Sequence, residues 1–223
     1  MPIYRALSPL VPSVAILLVL AQCTALYGED FPATVEVDGI ELRQNGVGLC
    51  EWGVFGINLY KAALWVEVPA SDPDRLLEAN PAKQLELLFC RKLSEKQMRK
   101  AYKSSFKANA TDEEKEKYAA EIEQFLAALG AVKKNERLTM SHAPGQGILL
   151  STGEETTGPL GDDGFATLLF RLYLGEKPPT KQLRRQLLGK HPRAESLTLP
   201  REAPSDEAEK KKEKKKEKKP ESS

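Results

Sequence analysis

Polar side chains inside a long apolar stretch are the first candidates for chemistry in this sequence. The stretch from Leu49 to Glu67 reads LCEWGVFGINLYKAALWVE, and Asn58 and Tyr60 lie near its centre. If residues 54–68 form one strand, these two side chains share a face, because successive side chains alternate. An amide and a phenol among apolar neighbours are typical of the polar end of an apolar ligand pocket. Alternatively, both groups form local hydrogen bonds inside a core or at a sheet edge.

A possible cation for an acidic ligand follows the next apolar segment. Arg91 and Lys92 come directly after the segment 85–90. A neighbouring cation favours the ionised form of a carboxyl group, so either residue is a candidate partner for an acidic head group. The alternative is that both are ordinary charges at the solvated end of a strand.

The usual signatures of catalysis, phosphate binding and metal binding are absent. The two histidines, His142 and His191, stand 49 positions apart and outside any metal-ligand spacing. The sequence contains no GxSxG, P-loop or GxGxxG. We therefore assign no catalytic residue and expect neither a metal nor a cofactor.

The predicted strands form an extended sheet. Asp38-Gly39 lies between extended runs and predicts a hairpin. Glycines at 46 and 48 indicate a bulge or a close backbone contact. Apolar residues on both faces of the strand through residue 68 predict a sheet that is buried on both sides. Further strands are expected at 85–90, 137–141 and 147–151.

Helices are predicted where a capping residue precedes an apolar stripe at helical spacing. The helix that starts at Thr111 is expected to continue to Gly130. The stripe of Met98, Tyr102 and Phe106 in the preceding helix predicts a core face. The predicted N-caps are Asp72, Ser94, Thr111, Asp162 and Thr180.

Length and charge favour one globular domain, residues 29–192, that does not bind nucleic acid. The 223 residues carry a formal net charge of +1. Between Phe31 and Pro200 there are 23 basic and 23 acidic residues. A nucleic-acid groove needs a surplus of Lys and Arg on one surface.

Residues 1–28 have the pattern of a signal peptide. Arg5 precedes an apolar run at 11–21, and Cys23-Thr24-Ala25 supplies small residues for cleavage. The run is shorter than the roughly 20 apolar residues that span a bilayer. We expect export to the periplasm or the extracellular space. The alternatives are an uncleaved anchor and a lipoprotein at Cys23, although Gln22 stands where lipoprotein signals carry a small residue.

The tail and the cysteines give two further expectations. Residues 193–223 are rich in Pro, Glu and Lys, so they lack the apolar surface that offsets the entropy of ordering. We expect a disordered tail, or alternatively one that contacts an anionic surface such as a membrane. Cys50 and Cys90 are expected to be free, buried thiols, with a disulfide as the alternative for an exported chain.

Four segments together resemble the chalcone isomerase-like family, in its bacterial exported branch. They are NGVGLC, LYKAALWVE, LLFCRKLSEKQMRKAYKSSFKAN and GFATLLFRLYLGEKPPTKQLRRQLLG, and the resemblance covers residues 31–190. It implies an α+β fold, an open-faced β-sandwich in which helices pack on one face of a large antiparallel sheet. A ligand cleft is expected between the sheet and the helices.

The resemblance also implies that the chemistry of the family is altered. The family includes plant isomerases that close a flavonoid ring and relatives that bind fatty acids without catalysis. Its Arg, which holds a phenolate or a carboxylate, matches Cys50, and a Thr that polarises the ketone matches Tyr60. A Tyr and an Asn of the cleft match Leu93 and Lys100. A neutral thiol cannot replace the field of a cation.

We therefore expect a non-catalytic protein that binds a small apolar ligand such as a fatty acid. One alternative is an intramolecular lyase or isomerase with a rewired site, which needs Tyr60 beside a positioned base. Another is a scaffold whose cleft is filled by Trp52, Phe55 and Trp65. An inward-facing cation at an open cleft favours the binding protein. The candidate ligand-binding residues are Cys50, Asn58, Tyr60, Arg91 and Lys100.

Overall fold

The structure is a computed structural model of the chain, and it describes residues 30–53, 56–78 and 80–189. The predicted signal peptide, residues 1–28, and the predicted tail, residues 193–223, lie outside these described residues. The described ranges form seven strands and six helices, which is the predicted α+β class. None of the helices in these ranges is long and apolar enough to cross a bilayer.

One antiparallel sheet carries the fold, and its strands follow chain order from edge to edge. The predicted hairpin at Asp38-Gly39 is confirmed, and both residues have positive φ, as a type I′ turn requires. The strands are β1 (Thr34–Val37), β2 (Ile40–Trp52), β3 (Ile57–Val66), β4 (Lys83–Phe89), β5 (Arg137–His142), β6 (Ile148–Thr152) and β7 (Glu155–Leu160).

Two strand predictions need correction. The strand predicted over residues 54–68 corresponds to β3, which is shorter and covers only Ile57–Val66. The preceding strand, β2, extends to Trp52, so the turn between the two strands takes up the start of the predicted strand. The strand β7 was not predicted, because Gly158-Pro159 is typical of a turn. Proline lacks a backbone donor and is tolerated in an edge strand, which is where β7 lies.

The helices begin where the capping residues predict. All five predicted N-caps accept a backbone N–H with their side chains. The single helix predicted from Thr111 to Gly130 is wrong, because it breaks at Tyr118, whose ring packs 5.7 Å from that of Phe165. The helices are α1 (Pro73–Leu77), α2 (Glu95–Asn109), α3 (Asp112–Lys117), α4 (Ala119–Ala128), α5 (Asp163–Leu174) and α6 (Lys181–Leu187).

The sheet is buried on both faces around β3, as predicted. Ala62 and Leu64 belong to the main core that the helices cover. Ala63 and Trp65 point to the opposite face, where a smaller apolar cluster forms. Trp65 donates from Nε1 to the carbonyl oxygen of Pro32 at 2.9 Å. The alternating side chains of one strand therefore contribute to two cores.

The helix α6 packs directly on β2 because β2 has glycines at the contact. A Cβ at Gly46 would lie 2.1 Å from the carbonyl oxygen of Gln186. The preceding residue, Asn45, is the extra residue of a bulge in β2. Its buried amide donates to the carbonyls of Ala70 and Leu187, and its oxygen accepts from the N–H of Ala70. The predicted bulge and close contact are both confirmed.

We expect Gly46→Ala to lower the free energy of unfolding by about 1–3 kcal/mol, because the methyl group would push α6 off the sheet. Gly130→Ala is the matched control, since a Cβ there meets no atom within 4 Å. The control should change stability by less than about 1 kcal/mol. Urea denaturation measures both, and equal effects would contradict the close packing of α6.

Lys83, the first residue of β4, is fully buried. The ammonium of Lys83 donates to Asn80 Oδ1 at 2.6 Å and to the carbonyl of Pro81 at 3.2 Å. It also lies 5.1 Å from the centre of the Phe170 ring. Burial lowers the pKa of Lys83 to about 7, against the opposing influence of Asp163 and Glu67.

This burial predicts that stability rises with pH above about 7. Between the folded pKa and the unfolded value of about 10.4, only the unfolded chain keeps the proton, so higher pH favours folding. From pH 7 to 8.5 the gain should be about 1–2 kcal/mol. Lys83→Met should abolish that gain, whereas Lys100→Met on the exposed face of α2 should retain it. Denaturation at both pH values measures the difference, and an unchanged slope in Lys83→Met would contradict the burial of a titrating amine.

Candidate ligand cleft

A cavity of about 510 Å³, here called the cleft, lies between α2 and the strands β2 and β3. Its volume lies within the range of ligand pockets. Most of its lining is apolar, which suits an apolar ligand. The lining residues outside α2 are Cys50, Glu51, Trp52, Leu59, Tyr60, Leu87, Phe89, Leu93, Tyr173, Lys177, Pro178 and Pro179.

The helix α2 contributes several small side chains to the lining of the cleft. Ala101, Ser104, Ser105 and Ala108 all line the cleft. They recur at the three- and four-residue spacing of one helix face. Met98 and Tyr102 complete this face. The sequence analysis identified the large members of the face as core and gave the small ones no role.

Four buried groups from four different elements form the inner end of the cleft, here called the floor. Tyr102 from α2 and Tyr173 from α5 bring their hydroxyl oxygens to 2.6 Å. Cys50 from β2 lies directly opposite Tyr60 from β3 in the sheet register. All four residues are at most 8% exposed.

The floor disfavours negative charge. Burial raises the pKa of the Cys50 thiol, and it raises the pKa values of Tyr60, Tyr102 and Tyr173 in the same way. The effect of burial on these pKa values exceeds the opposing influence of Tyr60 on Cys50 and of the hydrogen bond from Tyr173 on Tyr102. The thiol and the three phenols therefore remain protonated near neutral pH.

Among the described residues, charged side chains line the cleft only at its solvent-exposed opening, here called the mouth. Glu51 and Lys177 are exposed there. Trp52 is 67% exposed beside them, so it does not fill the cleft. Trp65 lies in the opposite cluster, and Phe55 lies outside the described residues. The described residues thus leave the cleft open.

The predicted pairing of Asn58 with Tyr60 on one face is wrong, because a bulge separates them. Cys50 pairs with Tyr60 and Glu51 pairs with Asn58, so Leu59 is an extra residue in β3. A bulge shifts the alternation of side chains. Leu59 and Tyr60 both line the cleft, whereas Asn58 lines a separate cavity of about 440 Å³.

The candidate cations do not reach the floor. Arg91 and Lys61 line the separate cavity, where Lys61 pairs with Asp30 at 2.5 Å. Lys100 is exposed on α2 and lines neither cavity. Of the five predicted site residues, Cys50 and Tyr60 line the cleft, whereas Asn58 and Arg91 both line the separate cavity. Leu93, which the resemblance matches to a Tyr of the family's cleft, also lines the cleft.

Nothing in the described part of the cleft provides a base or a metal site at the floor. The described residues contain no cluster of His, Cys, Asp or Glu that could hold a metal ion. His142 is buried opposite Lys83 in the β4–β5 register and hydrogen-bonds the carbonyl of Gly147 through Nδ1 at 2.7 Å. Cys50 and Cys90 are free, but Cys90 is only partly buried and lines the separate cavity.

Sequence reasoning missed Tyr173 and Lys177 and assigned Tyr102 to the core alone. A signal was present, because a buried tyrosine usually finds a hydrogen-bond partner for its hydroxyl. The hydroxyl groups of the two tyrosines on apolar faces of α2 and α5 therefore each needed a hydrogen-bond partner. The sequence did not show that they satisfy each other.

The seven-stranded sheet with helices over one face and a cleft between them defines an open-faced β-sandwich. The sequence model of the chalcone isomerase-like family matches residues 23–189, and the chain belongs to that family. The crystal structure of a fatty-acid binding protein from Arabidopsis thaliana is similar, with a TM-score of 0.59 and 20% identity. The similarity covers 71% of this chain and 90% of that one. At this identity it demonstrates the fold. No curated protein sequence matches the chain.

Proposed function

We propose that this protein binds a small apolar ligand, such as an acyl-chain compound of the fatty-acid type, in the cleft. The observation that carries the proposal is an open, mostly apolar cavity of about 510 Å³ whose inner end offers hydroxyl groups. The similar fold of a fatty-acid binding protein from Arabidopsis thaliana supports it. Small side chains on α2 leave the space, and four elements supply the polar floor.

The proposed function does not include catalysis. Tyr60 has Cys50 and two tyrosines near it, and no base or cation accompanies them at the described floor. General base catalysis needs a group that accepts a proton near the working pH, and three phenols and a thiol with raised pKa values do not provide one. The open cleft likewise does not favour a scaffold with a filled cavity.

A large side chain that fills the cleft should weaken ligand binding. Ala108→Trp places an indole in the space that α2 leaves open, so we expect affinity to fall at least about tenfold. The probe is N-phenyl-1-naphthylamine, an uncharged apolar fluorophore whose emission rises on transfer from water. The matched control is Ala120→Trp on α4, an exposed position away from the cleft. Equal binding by both variants would place the ligand elsewhere.

We expect no acceleration of chalcone cyclisation. Loss of one charge-stabilising donor typically reduces rate by about 10²–10³, and the floor lacks the cation altogether. The pure protein is incubated with a chalcone, and the loss of visible absorbance is followed. Saturable acceleration that disappears in Tyr60→Phe would contradict this expectation and support the isomerase alternative.

We further propose that the chain belongs to a bacterial exported branch of the family and is exported after removal of residues 1–28. The apolar run and the small residues that follow it support this. Native mass spectrometry of the protein from its own cells should give a mature mass that lacks this segment, together with a co-purifying lipid. A chain that still begins at Met1 would contradict export by cleavage, and a diacylated Cys23 would indicate a lipoprotein.

A further inference from the structure

The floor of the cleft is polar but carries no formal charge. Its four polar groups are the thiol of Cys50 and the hydroxyls of Tyr60, Tyr102 and Tyr173. These groups come from four different elements, namely β2, β3, α2 and α5. Such groups can donate to an oxygen atom and accept from a hydroxyl.

The hydrogen bonds at the floor leave donor capacity for a ligand. Tyr102 and Tyr173 carry two hydroxyl hydrogens, and their mutual bond of 2.6 Å uses one of them. The other partner found within the described structure is the sulfur of Met140, 4.0 Å from the Tyr102 oxygen. A thioether is a weak acceptor. An oxygen of a bound ligand would therefore be a better partner for the second hydrogen.

A carboxylate at this place would be buried without a counter-ion. The described lining residues with formal charge are Glu51 on β2 and Lys177 on the loop after α5, and both are exposed at the mouth. Lys61 and Arg91 line the separate cavity instead. Burial of an unpaired ion is strongly unfavourable, whereas burial of a hydrogen-bonded neutral group is not. The raised pKa values of the tyrosines and the thiol reflect the same penalty on negative charge.

We infer that the cleft selects an acyl-chain ligand with an uncharged, oxygen-bearing head group, which hydrogen-bonds the Tyr102–Tyr173 pair at the floor. A fatty alcohol, an aldehyde, an ester or a protonated fatty acid belongs to this class, and a fatty-acid anion does not. This inference rests on the proposed function, because it specifies the ligand of the same cleft.

The test compares three ligands with the same chain length on the full-length protein. They are 1-dodecanol, dodecanoate and dodecane, each measured by displacement of N-phenyl-1-naphthylamine. At about pH 8 we expect dodecanol to bind at least about tenfold more tightly than dodecanoate, because only the latter buries an unpaired charge. Between about pH 8 and 5 the affinity for the acid should rise as its carboxyl group becomes protonated. The affinity for dodecanol should stay constant over the same range.

Variants test the contact with the head group. Tyr102→Phe and Tyr173→Phe should each lower the affinity for dodecanol by about 3- to 10-fold, as expected for the loss of one neutral hydrogen bond. The affinity for dodecane should not change. Tyr118→Phe is the control, because Tyr118 is equally buried but does not line the cleft. Equal losses in all three variants would show a general effect on folding and would overturn the assignment of the head group.

Two other outcomes separate this inference from the proposed function. If dodecanoate binds as tightly as dodecanol at pH 8, and Lys177→Ala weakens only dodecanoate, then the acid group lies at the mouth. The inference about the floor is then wrong, although the cleft still binds acyl chains. If none of the three ligands displaces the fluorophore, the proposed function itself is wrong.

Discussion

Two buried tyrosines, one from each of two helices, meet at the centre of this protein. The hydrogen bond of 2.6 Å between Tyr102 and Tyr173 joins α2 to α5 over the sheet. It satisfies polar atoms that neither helix could satisfy alone, since both residues are almost fully buried. The position of two of the four polar groups at the floor thus depends on this one contact between helices.

The distribution of charge follows from the geometry of two neighbouring strands. The bulge at Leu59 directs Leu59 and Tyr60 into the cleft and leaves Asn58 at the separate cavity. Lys61, next along β3, also belongs to the separate cavity. The cations that the sequence offers near the site are therefore excluded from the floor. What remains there is a set of neutral donors and acceptors in a desolvated environment, which suits recognition more than reaction.

This chain shares the fold of its family but not the cation that the resemblance leads us to expect at the site. The fold is that of the chalcone isomerase-like family. The family resemblance places Cys50 at the position of the family's cation, and burial raises the pKa of this thiol, so it stays neutral near neutral pH. No Lys, Arg or His among the described residues replaces the family's cation at the floor. A fold supplies a cleft, but the chemistry depends on the groups at its inner end.

The sequence alone determined most of the local structure. Capping residues located the starts of α1, α2, α3, α5 and α6, and Asp38-Gly39 located the first hairpin, because these signals act over a few residues. The glycine at 46 predicted the close approach of another segment to β2, although not that α6 is that segment. The break at Tyr118 and the strand β7 were missed, since tertiary contacts override local propensity at both places.

The tertiary structure decided which side chains share the cleft. Cys50 was predicted to belong to the site from the family resemblance, and Tyr60 from that resemblance and from its place inside the long apolar stretch. Tyr173 joins them from more than 100 residues along the chain, and this proximity depends on helix packing that no local pattern encodes. A single extra residue in β3 moved Asn58 to another cavity, because strand faces alternate with a period of two. Residue types were readable from the sequence, but their convergence on one floor is a property of the packed fold.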